Sequence, residues 1–235
     1  LLGVYGWDDR LAKQALGGLV GSRPRSALAR VAIRQGLLAV TGYEGLNDPA
    51  FQREVLATLN PDIVLVASWG EIVRPSTLTS FPKVRFLNCH PSLLPKHRGI
   101  NPYVSAIRLG ESQSGVSFHR LEAAIDAGPV YMRQSVDIAP DETGGSLSEK
   151  CAMAAGRSIP ELMARLADGR PPCPQDESQA SYYGQSFVED CILRWEHPPL
   201  ELERTVRGSQ PWIAAMVVLN GRYPMTVRGF RQRFL

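Results

Sequence analysis

The chain has 235 residues, 44% hydrophobic and 21% charged, and its 26 Lys and Arg against 23 Asp and Glu give a formal net charge of +3. This composition supports a buried core and excludes a disordered chain, a disulfide miniprotein and a peptide module. The longest apolar run, residues 212–219, is eight residues long, whereas a bilayer span needs ~20. Cys89, Cys151, Cys173 and Cys191 lie too far apart to signal a zinc ribbon or a disulfide framework. No secretory leader, reduced thiols and a cytoplasmic location are the expectations.

Residues 2–5 read as a strand already under way, and the first residue is Leu1, so further residues are expected to precede it. From Arg10 to Tyr43 there are six basic residues (Arg10, Lys13, Arg23, Arg25, Arg30, Arg34) and no acid; after Glu203 there are six arginines, again with no acid. Either cluster is a solvated basic face or a phosphate-facing surface. Asp48 caps and Pro49 opens a helix to about Leu59, with Phe51, Val55, Leu56 and Leu59 as its inner stripe. Residues 62–67 and 84–89 are short, branched and apolar, the pattern of buried parallel strands. Val116, Phe118 and Arg120 alternate with Ser117, His119 and Leu121, and after a turn at Asp126 residues 130–136 form a further strand, a pair added at the sheet edge.

Ser146 and Glu149 have capping-box spacing ahead of a helix carrying Leu147, Cys151, Ala154, Ile159, Leu162 and Leu166, with a kink expected at Pro160. Residues 170–179 (RPPCPQDESQ) are proline-rich and polar and read as a linker. Asn220-Gly221 between apolar runs predicts a hairpin that opens a small β domain. The fold expected is therefore an open, mostly parallel, doubly wound α/β sheet over residues 1–169, a linker over 170–180, and a partial small β-barrel domain over 181–235.

There is no glycine-rich phosphate loop and no paired metal-ligand spacing. The informative segment is FLNCHPSLLPKHRG, residues 86–99. In an extended strand Asn88 and His90 share one face and Cys89 takes the other, which excludes a Cys89–His90 nucleophile and base pair. A carboxamide and an imidazole at the carboxyl end of a strand suit acyl chemistry, the imidazole moving a proton and the amide serving a developing oxyanion. Asp126, among Ala123, Ala124, Ile125 and Ala127, needs a partner for its charge, and beside His90 it is expected to orient the ring and raise its pKa. The same residues also admit a structural reading, with Asn88 capping a turn and Asp126 an ordinary turn residue. His97 and His119 are expected at solvent-facing or edge positions and His197 in a loop, none with a catalytic role.

At these residues the chain resembles the folate-dependent formyltransferase family, most closely its two-domain members that formylate methionyl-tRNA. The resemblance rests on Asn88, His90, the loop Ser92, Leu93, Leu94 and Pro95, the pair Arg98 and Gly99, and Asp126, which follows His90 by 36 residues. Weaker similarity covers about residues 1–230, including a folate-side segment at 67–78 and TVRGSQPW at 205–212. It implies 10-formyltetrahydrofolate as donor, bound near Trp69, Gly70 and Ile72 and along the loop from Ser92 to Pro95. It implies Asn88, His90 and Asp126 as the catalytic set and no metal. It also implies that the strand and helix that open the family's sheet, and the end of its C-terminal barrel, lie outside this chain.

Two acceptors remain. Initiator methionyl-tRNA would place phosphates on Arg23, Arg25, Arg98 and Arg207. A nucleotide-sugar amine is the alternative, because residues 181–184 (SYYG) and 192–195 (ILRW) resemble that branch. A third reading is a folate-binding fragment without turnover.

Overall fold

The computed structural model describes residues 3–4, 34, 38–39, 43–67, 71–100, 102–183, 191–212, 214–219 and 223–227. Its contacts divide the chain into two units, Leu1–Phe86 and Leu87–Leu235. In the first, β1 (Gly3–Val4) pairs in parallel with β2 (Leu38–Ala39). Asp48 caps the next element as expected, its two carboxylate oxygens accepting from the amides of Ala50 at 2.8 Å and Glu44 at 3.0 Å. The helical run that follows is α1 (Pro49–Phe51), a π-helical stretch (Gln52–Leu56) and α2 (Ala57–Leu59). Phe51, Val55 and Leu56 are buried, but Leu59 is exposed. The wider π turn rotates Leu59 away from the stripe that an undistorted 3.6-residue period predicts.

Next come β3 (Ile63–Ala67) and α3 (Pro75–Ser80). Asn47 holds the stretch between them: its Nδ2 donates to Glu71 Oε1 at 2.6 Å and to the Ile72 carbonyl at 2.8 Å, and its Oδ1 accepts from the Arg74 amide and the Thr77 hydroxyl. The strand β4 (Arg85–His90) begins in this unit, where the Arg85 amide donates to the Asp62 carbonyl at 3.0 Å.

The second unit contains the rest of β4, then β5 (Arg98–Gly99), α4 (Pro102–Arg108), β6 (Gln113–Arg120), β7 (Val130–Asp137), α5 (Gly144–Ala167), β8 (Tyr182–Tyr183), α6 (Pro199–Ser209), β9 (Ala215–Leu219) and β10 (Tyr223–Val227). Within this unit the strand order is β4-β6-β7, and both β4–β6 and β6–β7 are antiparallel. The result is mixed α/β, with parallel pairs at β1–β2 and β5–β8. The sheet around the strand end of interest is antiparallel. Residues 114–119 of β6 are buried on both faces, and α5 packs against β6 and β7. The alternation seen in the sequence therefore does not separate a wet face from a dry one.

Helix α5 starts earlier than the Ser146–Glu149 spacing predicts. Thr143 is the cap, its hydroxyl accepting from the Ser146 amide at 3.1 Å while Ser146 Oγ accepts from the Thr143 amide at 3.0 Å. Gly144 is helical against its propensity because it packs where a Cβ would lie 2.0 Å from the Gly208 carbonyl. Leu147, Cys151, Leu162 and Leu166 form the buried face, while Ala154 and Ile159 are half-buried; Pro160 lies within the helix, which continues through it.

Beyond residue 190, Leu193, Leu202, Val206, Ala215 and Val217 form a small core of their own, with Val227 packed on it. The predicted hairpin is present as β9 and β10; its turn residues Asn220 and Gly221 lie outside the described residues. No closed barrel occurs among the described residues, and none of their helices is long and apolar enough to cross a membrane.

Candidate active site

The site lies in the second unit, at the end of β4. Asn88 and His90 emerge on one face, and the antiparallel register sets Asn88 opposite His119 of β6. Asp126 arrives from the turn that joins β6 to β7. Its Oδ2 lies 3.4 Å from His90 Nδ1 and its Oδ1 3.4 Å from His119 Nε2; Asn88 Nδ2 is 3.2 Å from His119 Nε2 and 3.4 Å from Asp126 Oδ1. The Gly99 amide donates to Asp126 Oδ2 at 2.9 Å. Gly128 is fixed by close approach, since a Cβ there would fall 1.9 Å from the Arg120 carbonyl.

The other nitrogen of His90 decides its tautomer. Nε2 lies 2.8 Å from the His97 carbonyl, which can only accept, so Nε2 carries the proton and Nδ1 is the basic nitrogen facing Asp126. Burial pushes the His90 pKa down, against the opposing pull of Asp126, and the net direction is downward. The expected rise is thus overturned: with a side chain only 5% exposed, desolvation of the imidazolium outweighs one carboxylate at 3.4 Å. Burial alone would raise the Asp126 pKa, but the His119 imidazole, the positive charge His90 carries once it is protonated in acid, and the Gly99 amide outweigh it and hold the carboxyl at about 2. The pair at rest is a neutral imidazole beside a carboxylate. Burial pushes the Cys89 thiol up to about 12, so it stays protonated and inert.

Two histidines stand elsewhere than expected. His119 is 1% exposed and belongs to the cluster, its Nδ1 donating to the Arg120 carbonyl at 2.9 Å, which leaves Nε2 to face Asn88 and Asp126. His97 is 3% exposed, stacked on Tyr183, and supplies the carbonyl that holds His90. His197 is a loop residue 3.0 Å from Glu201, as expected.

Of the residues expected to contact the donor, Trp69 and Gly70 lie outside the described residues, and Ile72 is exposed in the first unit. Ser92 and Leu94 are buried within their own loop. The Ser92 hydroxyl donates to the Lys96 carbonyl, the Leu94 amide donates to Ser117 Oγ, and the Leu94 carbonyl accepts from Arg133. Leu93 and Pro95 are half-buried, and Leu94-Pro95 is a cis peptide.

Of the residues expected to contact the acceptor, Arg23 and Arg25 lie outside the described residues. Arg98 and Arg207 are not free for phosphates. Arg98 is buried, with two bonds to Glu177 at 2.9 and 2.7 Å and two to Gln175. Arg207 bonds Glu203 and the Glu142 carbonyl. The Glu203 partner was visible as an i,i+4 pair; Gln175 and Glu177 lie 77 and 79 residues from Arg98, with no local signal. An open cleft of about 320 Å³ is lined by Arg98, Ala124, Ile125, Ala127, Ala180, Ser181 and Tyr182, the neighbours of Asp126 in sequence but not Asp126 itself. Among the described residues no group of three or more His, Cys, Asp or Glu is arranged to hold a metal ion.

A neutral base, a carboxylate that stabilises it once protonated, and an amide donor within one cluster can move a proton and serve an oxyanion. Comparison with known proteins narrows this chemistry. The methionyl-tRNA formyltransferase of Dehalococcoides mccartyi is 35% identical over 220 residues, covering 94% of this chain and 68% of that protein. A sugar N-formyltransferase from Shewanella sp. superposes with a TM-score of 0.68 at 16% identity over 99% of this chain and 98% of that one. HypX from Aquifex aeolicus, solved with tetrahydrofolic acid, superposes with a TM-score of 0.64 at 18% identity over 79% of this chain and 32% of that one. At those identities the two structures show a shared fold. Because residues 15–163 also match the family model described as formyl transferase, the chain belongs to that family.

Proposed function

We propose that this chain transfers the formyl group of 10-formyltetrahydrofolate to the amino group of methionyl-tRNA, with Asn88, His90 and Asp126 as its catalytic residues. The observation that carries the reading is the meeting of His90 Nδ1 with Asp126 while the His97 carbonyl holds Nε2. The amine attacks the formyl carbon. His90 takes the amine proton on Nδ1, and the imidazolium so formed is paired at once with Asp126 Oδ2. The tetrahedral oxyanion draws on Asn88 Nδ2, whose hydrogen bond to Asp126 is already stretched to 3.4 Å, and an oxyanion at about 2.8 Å accepts that hydrogen bond instead, the proton staying on the amide. Collapse of the intermediate expels the folate nitrogen, which recovers the proton from His90. No step calls on a metal.

The half-buried Leu93 and Pro95, with Trp69, Gly70 and Ile72, are proposed for the donor, and Arg23 and Arg25 for tRNA phosphates. The relatives' name supports methionyl-tRNA, and with it a role in protein biosynthesis and a cytoplasmic location. The proposed organisation is a catalytic domain to residue 169, a connecting segment over 170–180 and a C-terminal β domain from 181. One observation favours a nucleotide-sugar acceptor: Tyr182 is exposed on the cleft that Ile125 and Ala127 line, where a base can stack. The deciding experiment offers charged initiator tRNA and an amino-sugar nucleotide to the same enzyme. Formylation of the tRNA, weakening steeply with salt as several phosphates are neutralised, is the result expected. Turnover of the sugar nucleotide alone contradicts the tRNA assignment, and folate binding with turnover of neither acceptor contradicts both.

A further inference from the structure

We propose that Gln175 is a positioning residue for Asp126, its carboxamide fixing the turn that presents the Asp126 carboxylate to His90 and His119. The inference rests on the reading of Asp126 as the charge partner of His90. Asp126 has φ +52, a left-handed backbone that costs any residue with a Cβ and persists only where its surroundings over-determine it. Two carbonyls of that turn, of Asp126 and Gly128, each accept from Gln175 Nε2 at 2.7 Å. Gln175 Oε1 accepts from Arg98 Nε at 3.2 Å and from the Arg98 terminal nitrogen at 2.8 Å, and Glu177 grips the same guanidinium. The residue after Arg98 is Gly99, whose amide holds the Asp126 carboxylate. Asp126 is thus fastened at both ends, by its own carbonyl through Gln175 and by its carboxylate through Gly99, with Arg98 common to the two.

The chemistry selects a carboxamide. Two donors on one nitrogen bridge two carbonyls while the oxygen takes the guanidinium; Glu offers no donor, and Asn is shorter by one methylene. The segment that reads as a linker is therefore part of the active-site frame. Cys173 pairs with Val130 through both backbone groups, and Ser181 accepts from the Arg98 amide.

The test compares Gln175→Glu, Asp126→Asn and the double variant in the full chain, by formyl-transfer kinetics, donor binding and thermal unfolding. Gln175→Leu repeats the test without added charge if the Glu variant misfolds. We expect kcat for Gln175→Glu to fall about 10- to 100-fold, the effect of misplacing a catalytic group by about 1 Å, with donor binding and melting temperature little changed. The acid limb of the pH–rate profile of Gln175→Leu, which adds no charge, should move down, and the double variant should be no slower than Asp126→Asn alone. Wild-type kcat in Gln175→Glu beside a slow Asp126→Asn overturns this proposal and spares the role of Asp126. Wild-type kcat in Asp126→Asn overturns the reading beneath it. Additive losses, or losses in both Gln175 variants that track unfolding, make Gln175 merely structural and overturn the proposal.

Discussion

Two histidine–carboxylate pairs lie close together in the second unit and differ in what surrounds them. His90 Nδ1 faces Asp126 at 3.4 Å, its Nε2 is held by a carbonyl, and Asp126 accepts from the Gly99 backbone amide and from Asn88 Nδ2. His97 Nε2 stands 3.1 Å from Glu111 without hydrogen-bond geometry, its Nδ1 is buried without a hydrogen-bond partner, and Glu111 is shared with the exposed Lys96. In both, burial pushes the imidazole pKa down. What separates them is the fixed tautomer: of these two rings, His90 keeps one nitrogen protonated and its basic nitrogen aimed at a fastened carboxylate, and His97 does not. His97 contributes its backbone carbonyl, and its ring is packing against Tyr183.

The largest effect that sharpens this contrast is loss of the base. His90→Ala should lower formyl transfer ~10²–10⁴-fold while donor binding persists in a filter or fluorescence assay; an unchanged turnover would remove His90 from the mechanism. Asn88→Ala should cost ~10²–10³ in kcat with little change in donor KM, because its amide is used when the oxyanion forms. A change confined to KM would make Asn88 a binding residue.

Stability in acid follows from the Asp126 carboxyl, held at about 2 against the usual 3.8. A group lowered on folding stabilises the native state fully above its unfolded value and loses that contribution as pH falls through the folded one. Denaturant titrations should therefore show about 2 kcal/mol lost between pH ~4 and ~2, and a smaller loss over that window in Asp126→Asn. The smallest effect belongs to His97→Phe, which keeps the stacked ring and the carbonyl. Its kcat should stay within about 3-fold of wild type, and a drop like that of His90→Ala would erase the distinction between the two pairs.

The candidate site was legible where local geometry carries it. Strand alternation places Asn88 and His90 on one face, and the spacing to Asp126 belongs to a motif. His119 was hidden because β6 is buried on both faces, so its position in an alternating pattern says nothing about solvent. The cap of α5 was misplaced because Gly144 is helical for a tertiary reason, its contact with Gly208. Arg98 read as a phosphate ligand because charge without a visible partner reads as available. Its partners arrive from a proline-rich stretch whose composition speaks only of an absent helix or strand. The sign of the His90 shift could not be read from a nearby acid, since desolvation depends on burial and burial depends on the whole second unit.

The pH dependence of kcat at saturating acceptor in the wild type and in Asp126→Asn tests the central claim most directly, because it reports the ionisation of the base in the bound complex and not that of the free acceptor amine. A neutral, buried His90 predicts an acid limb below 6.5 in the wild type. Removing the one charge that pulls its pKa upward should shift that limb to still lower pH in Asp126→Asn. A limb above 6.5, or one that Asp126→Asn leaves in place, would contradict a base on His90 Nδ1 paired with Asp126.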